Sequence, residues 1–362
     1  MKLIRTIAVL AAAAMLMPAA AQTTQRLTAS KANEYGLIYS LPVTELDITI
    51  ETEHTRRTPG EFYNYSRRHL GLDGAITEPS VSVDVKSITI TPRGVANPDN
   101  RWLVHFKNGS TPYMLLTPDG LPLTVNTETV ADTDLPELPE AVAMQPTILE
   151  TDAARQAMTQ DMIRSSSTSK RAELAAQRIF ELRDTRSDLL SGQADNAPAD
   201  GQAMQLVLDN LSNQEAALTA MFTGTEQKWT TVETISVRPD SLGLADEIIA
   251  RISPVDGILT PDNLAGAPLT LSIDIIEQGS LPVNEKGEVK RFPKGGLAYT
   301  IPGRARVSVK YEGRTIASTE VSLAQLGVTF GIDPALFTDK KAPSKVQFDP
   351  STGAIVLIGP AE

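Results

Sequence analysis

Between residues 45 and 54 the chain reads ELDITIETEH, with apolar and acidic positions in alternation. Leu46, Ile48 and Ile50 fall on one side of an extended backbone, and Glu45, Asp47, Glu51 and Glu53 on the other. A period of two predicts a half-buried strand. VSVDVKSITI repeats the pattern with Val81, Val83 and Val85, then resumes at Ile88 and Ile90 one residue out of phase. A β-bulge near Lys86-Ser87 would repair the register. RWLVHF alternates Trp102, Val104 and Phe106 and runs into Asn108-Gly109, a favoured hairpin turn. PYMLLTPDGLPLTV holds a second turn at Pro118-Asp119-Gly120. Together these segments predict a β-meander.

The period then changes. Residues 127–149 are acidic and proline-spaced and read as a connector. From about residue 150 the chain is rich in Ala, Leu, Gln, Arg and Glu, all good helix formers. Ala175, Ile179, Leu182, Leu189 and Leu190 recur at helical spacing, as do Met204, Val207, Leu208, Leu211, Leu218, Met221 and Phe222. GQADNAPADG separates the two stripes with Gly192, Pro198 and Gly201, which predicts an antiparallel helical hairpin. Strands return in EQKWTTVETISV and LTLSIDI, and hairpins are expected at Glu312-Gly313 and at Pro350-Ser351-Thr352-Gly353. The expected fold class is α+β, mainly antiparallel β with an inserted helical hairpin. The expected organisation is a leader at 1–21, a β-rich part at 22–126, the connector at 127–149, the hairpin at 150–224 and a second β-rich part at 225–362. The pattern leaves open whether the two β-rich parts form one domain or two.

One stretch concentrates charge. TRRTPGEFYNYSRRHLGL, residues 55–72, carries four arginines and a histidine. A structural reading covers most of it. Thr58 would cap a helix, Pro59 would take its first position, and Glu61 would close a capping box. Phe62, Tyr65 and Leu70 would share a face, and Gly71 would stop the helix in a left-handed conformation. Arg67, Arg68 and His69 would then lie in the last turn, where the helix dipole favours cations. Arg56 and Arg57 would end the preceding strand, with glutamates available across it. The functional reading makes Arg56, Arg57, Tyr63, Tyr65, Arg67 and Arg68 a ligand site for a carboxylate or sugar acid.

The N-terminus reads MKLIRTIAVLAAAAMLMPAAAQ, with Lys2 and Arg5 ahead of an apolar run and Ala19-Ala20-Ala21 before Gln22. That is the form of a secretory signal peptide cleaved after Ala21. The expected location is periplasmic or extracellular, with no membrane span in the mature chain. The sequence has no cysteine, so a lipid anchor, disulfides and thiolate metal sites are not expected. Without Lys2 and Arg5, 31 basic residues face 44 acidic ones, a formal charge of −13. That balance argues against nucleic acid as a partner.

Candidate chemistry is sparse. His54, His69 and His105 show no metal-ligand spacing, and no cofactor motif is present, so neither metal nor cofactor is expected. The loop DNAPADG resembles a calcium loop in composition alone, because proline occupies the third position. Among 44 acidic residues a hydrolase pair is not legible. Trp102 and Trp229 would suit a sugar platform, although the alternating neighbours of Trp102 favour a core position.

Several segments carry a resemblance. YSLPVTELDITIETE, TRRTPGEFYNYSRRHLGL, LLTPDGLPLTVN, IFELRDTRSDLLSGQADNAPADGQAMQLVLDNLSNQEAALTAMFTG, GGLAYTIPGRARV, SLAQLGV and VQFDPSTGAI together resemble an exported family of Bacteroidetes-type bacteria, the domain of unknown function numbered 4831. The resemblance implies export and this architecture, with no activity or catalytic residue to carry over. Two functions stay in view. The first is a non-enzymatic envelope protein acting by contact with another envelope protein or an assembly. The alternative is a carbohydrate- or peptidoglycan-related binder or carboxylate-based hydrolase.

Overall fold

The structure, a computed structural model, describes residues 23–26, 36–105, 113–132, 135–194, 201–338 and 343–361. The expected leader, the Asn108-Gly109 turn and most of the DNAPADG loop lie outside the described residues. The acid-edged strand is the middle of β2 (Leu37–Thr58), which pairs antiparallel with β3 (Ser80–His105). β1 (Thr23–Arg26) lies on the far side of β3, and β6 (Thr225–Val237) on the far side of β2. The order of this sheet is β1-β3-β2-β6. A strand from beyond the helical hairpin therefore joins strands from before it.

The expected bulge is present. Glu51 faces Ser87 and Thr52 faces Val85, so Lys86 is the extra residue. A bulge re-aims side chains, and here two of them converge on one acid. Lys86 Nζ and Ser87 Oγ each lie 2.8 Å from the Glu51 carboxylate. Glu51 is 7 % exposed. The hydrogen bonds from Lys86 and Ser87, and the Lys86 charge, hold its carboxyl below the ordinary value. A carboxyl depressed by folding stabilises above its unfolded pKa and loses that contribution as pH falls through the folded value. Glu51→Gln should therefore lower stability at neutral pH, and the deficit should vanish in acid. Urea unfolding of both proteins at neutral pH and below the carboxylate range checks this. A deficit independent of pH would overturn it.

A second sheet has the order β11-β10-β9-β7-β8. Its strands are β7 (Leu244–Ser253), β8 (Gly257–Leu259), β9 (Ala267–Glu277), β10 (Leu297–Tyr311) and β11 (Arg314–Ile332). The apolar side of β2 packs on it. Leu46, Ile48 and Ile50 are fully buried in one cluster with Leu269, Leu271, Val307 and Val309. Two faces with period-two patterning close on each other as a sandwich.

The third sheet corrects the expected meander. β4 (Met114–Leu116) and β5 (Pro122–Val125) form the hairpin read at Pro118-Asp119-Gly120, but they leave the first sheet. β5 pairs instead with β12 (Ser344–Phe348), which pairs with β13 (Ile355–Pro360). Val125 is buried with Val346 and Phe348 beside Tyr39 and Leu297. This apolar junction of all three sheets is where β5 gains its burial, and local alternation carries no record of it. Every strand pairing among the described residues is antiparallel. The fold is α+β and mainly β.

The helical layer comprises α2 (Asp152–Ala157), α3 (Gln160–Arg164), α4 (Thr168–Ser191) and α5 (Gly201–Thr223). The Ser167 side chain caps the start of α4, and Gly192 stops it in the left-handed region. Ala172, Ala175, Ile179 and Leu182 pack against Leu218 and Phe222 around Phe62.

The stretch at 55–72 is built differently from its sequence expectation. Thr58 ends β2 and makes no cap, and the helical part begins later, as a 3-10 turn at Tyr63–Tyr65 and α1 (Ser66–Leu70). The cause is tertiary. Gly60 lies so close to the carbonyls of Ala220 and Met221 that a side chain has no room, and the Phe62 N–H donates to Met221 O at 2.7 Å. That contact inserts Phe62 into the helical core, while Glu61 pairs with Arg171 rather than closing a capping box. The expected stop holds: Gly71 is left-handed at φ 65°.

Candidate functional site

Strand geometry separates the six residues of the arginine-rich stretch. Neighbouring residues in a strand point to opposite faces, so Arg56 and Arg57 diverge. Arg57 pairs with Glu226 at 2.7 Å across β6. It lines a shallow depression of about 700 Å³ together with residues 74–80. Arg56 lies over the Trp229 ring, 5.5 Å from its centroid. Trp229 in turn stacks on His54 at 5.0 Å, and burial pushes the His54 imidazole below its ordinary value. Tyr65 packs against the helical core beside His69, and Tyr63 is half-buried. Arg67 meets Asp73 at 3.4 Å, and Arg68 is exposed.

The hairpin offers a different kind of surface. Arg183 and Arg186 both reach Glu215, at 2.6 and 2.7 Å, which sets the register of α4 against α5. Below this clamp, toward the sheets, the facing side chains are buried. Beyond it the stripe opens. Leu189 is buried, but Leu190 is 68 % exposed and Leu206 is 73 % exposed, with Val207 also exposed. Asp188 and Asp209 are exposed on the same distal turns and form no ion pair among the described residues. The distal end is thus apolar with an acidic rim.

A third feature lies where β1, β3 and β11 meet. The β2–β3 ladder pairs Ser40 with Arg101 and then Pro42 with Ala96, so residues 97–100 bulge out of β3. They place Asn97, Asp99 and Asn100 around a cleft of about 400 Å³ that also contains Arg26, Trp102, Phe292 and Thr329. Trp102 is half-buried and stacks on Phe292 with centroids 5.5 Å apart and planes within 5°. Its indole N–H donates to Asn100 Oδ1 at 2.9 Å. Of these residues Trp102 alone stands out in the sequence. The signal for the rest was NPDN, a cluster of turn formers inside a strand pattern. Phe292 had no local signal, because only the fold brings it to Trp102.

Among the described residues, no group of three or more His, Asp or Glu side chains could hold a metal ion. None of the described helices is long and apolar enough to cross a membrane. Comparison with curated proteins and with solved structures finds no match. Comparison with family models does: the one described as a domain of unknown function, DUF4831, matches residues 35–356, nearly the whole chain, and the chain belongs to that family.

Proposed function

We propose that this is an exported envelope protein that acts by contact, docking a partner protein on the distal end of its helical hairpin. The observation that carries the reading is the exposed apolar end of α4 and α5 inside an acidic rim. A helix pair whose stripe is buried at the base and open at the end has apolar surface left to bury on a partner. The rim selects the partner's chemistry: a protein surface with an apolar centre and basic flanks. The leader-like N-terminus supports export, and the strongly acidic chain makes a second copy electrostatically unfavourable as the occupant.

The test is site-specific photocrosslinking in intact cells. A photoreactive residue at Leu206 should give one defined heterologous adduct, and the same residue at exposed Leu264 should not. Leu190→Glu should abolish the adduct. Asp188→Lys with Asp209→Lys should weaken it, because both reverse the rim charge. A homodimer as the sole adduct, or an adduct indifferent to both sets of substitutions, would overturn the reading.

A further inference from the structure

We infer that the cleft lined by Trp102, Phe292 and the bulge at 97–100 is a binding site for a neutral saccharide. Trp102 and Phe292 stack in parallel, each covering part of the other, and both line the cleft, where Phe292 remains 38 % exposed; Phe330 meets Phe292 edge-on at 6.2 Å. Gly331 lies beneath the Phe292 ring, where an added Cβ would come within 2.9 Å of ring carbons. The Phe292 ring is therefore held in place by its neighbours, as a stacking platform must be.

The rim supplies the complementary half. The bulge at 97–100 is itself braced: the Asp99 N–H donates to Asn97 Oδ1 at 3.0 Å, and Arg26 Nη2 donates to the Asp99 carbonyl at 2.8 Å. Those bonds leave the Asn97 amide NH₂, the Asp99 carboxylate and the rest of the Arg26 guanidinium available to a ligand. Thr329 adds a hydroxyl. Donors and acceptors are mixed, and the single cation offsets the single anion. A phosphate or polyanion would find one arginine opposed by an adjacent carboxylate. A nonpolar ligand would strand the rim groups without partners. A pyranose satisfies both halves: its C–H face stacks on aromatic rings, and each hydroxyl both donates and accepts. The cleft is open to solvent and falls in the volume range of small-molecule sites, roughly 300–1,000 Å³.

The experiment titrates the full mature chain with maltohexaose, cellohexaose and chitohexaose. Trp102 fluorescence is read in a Trp229→Phe background, and calorimetry is run in parallel. Saturable binding to at least one oligomer is expected. A preference for chitohexaose would point to acetamido glycan of the cell wall, and a preference for either hexose oligomer to neutral polysaccharide. Phe292→Ala should abolish binding. Asn97→Ala and Asp99→Ala should each weaken it by roughly tenfold, the scale of one lost hydrogen bond to a polar group. Asp99 is exposed and its side chain takes no part in bracing the bulge, so Asp99→Ala should keep the parent melting temperature and decide the matter even if Phe292→Ala unfolds. No saturable binding to any oligomer overturns the inference, as does binding unchanged in both rim variants. Hairpin substitutions at Leu190 should leave saccharide binding intact, which separates failure of this site from failure of the docking surface.

Discussion

Phe222→Ala is expected to lower the unfolding free energy by about 3–5 kcal/mol, the range for emptying an aromatic core site. Phe222 closes α5, is fully buried, and meets Phe62 with ring centroids 5.3 Å apart. Phe62 sits just past the end of β2, so this pair couples the helical layer to the central strand. The two phenyl groups are enclosed by Ala175, Ile179 and Leu218, whose helix backbones cannot collapse far into the space left behind. Urea unfolding followed by far-UV circular dichroism measures the loss. The double substitution with Phe62→Ala should cost less than the two single changes together, because each alone already breaks the shared contact. A loss under about 1 kcal/mol would show that the hairpin is anchored elsewhere.

Thr44→Val should cost about 2–4 kcal/mol, although it keeps the shape of the side chain. Thr44 is fully buried in β2. Its hydroxyl donates to the Ser351 carbonyl at 2.9 Å and accepts from the Ala324 N–H at 3.0 Å. Valine strands both backbone groups in the interior, each a desolvation penalty without a partner. The position matters because three parts of the chain meet there. The β10–β11 ladder jumps from Ile301–Val328 to Gly303–Leu323, which frees residues 324–327 from pairing. Gln325 then completes the Thr44 backbone as a neighbouring strand would. Its amide accepts from Thr44 N at 3.1 Å and donates to Thr44 O at 2.9 Å. Thr44→Ser, which keeps the hydroxyl, should recover most of the loss. Equal losses for valine and serine would assign the effect to packing and refute the hydrogen-bond account.

The elements themselves were legible where one physical period dominated. Alternation placed β2, β3, β9 and the hairpin turns at Asp119-Gly120, Glu312-Gly313 and 350–353. The one-residue phase slip at Lys86-Ser87 placed the bulge, because a strand with one buried face cannot tolerate an uncorrected slip. Helical spacing and breakers placed α4 and α5. The same local logic failed at Thr58-Pro59-Gly60-Glu61, where capping residues were all present. There the close approach of Gly60 to α5 outweighed a cap that is worth about 1 kcal/mol.

The candidate sites divide in the same way. Trp102, Trp229 and the arginines of residues 56–68 could be named from sequence, since residue type alone marks them. Which of them share a surface could not. Arg57 is engaged by Glu226, 169 positions away, and Trp102 finds Phe292 only because β3 and the segment before β10 end at the same corner. Element types, most turns, the family and the acidic character are legible in the residues alone. These follow from short-range periodicity, turn chemistry and composition. Tertiary structure alone decided that β6 joins β2, that β5 leaves for β12, and that a turn cluster at 97–100 frames an aromatic cleft. Those outcomes depend on which distant apolar faces and unpaired strand edges meet, and a local pattern carries no term for that.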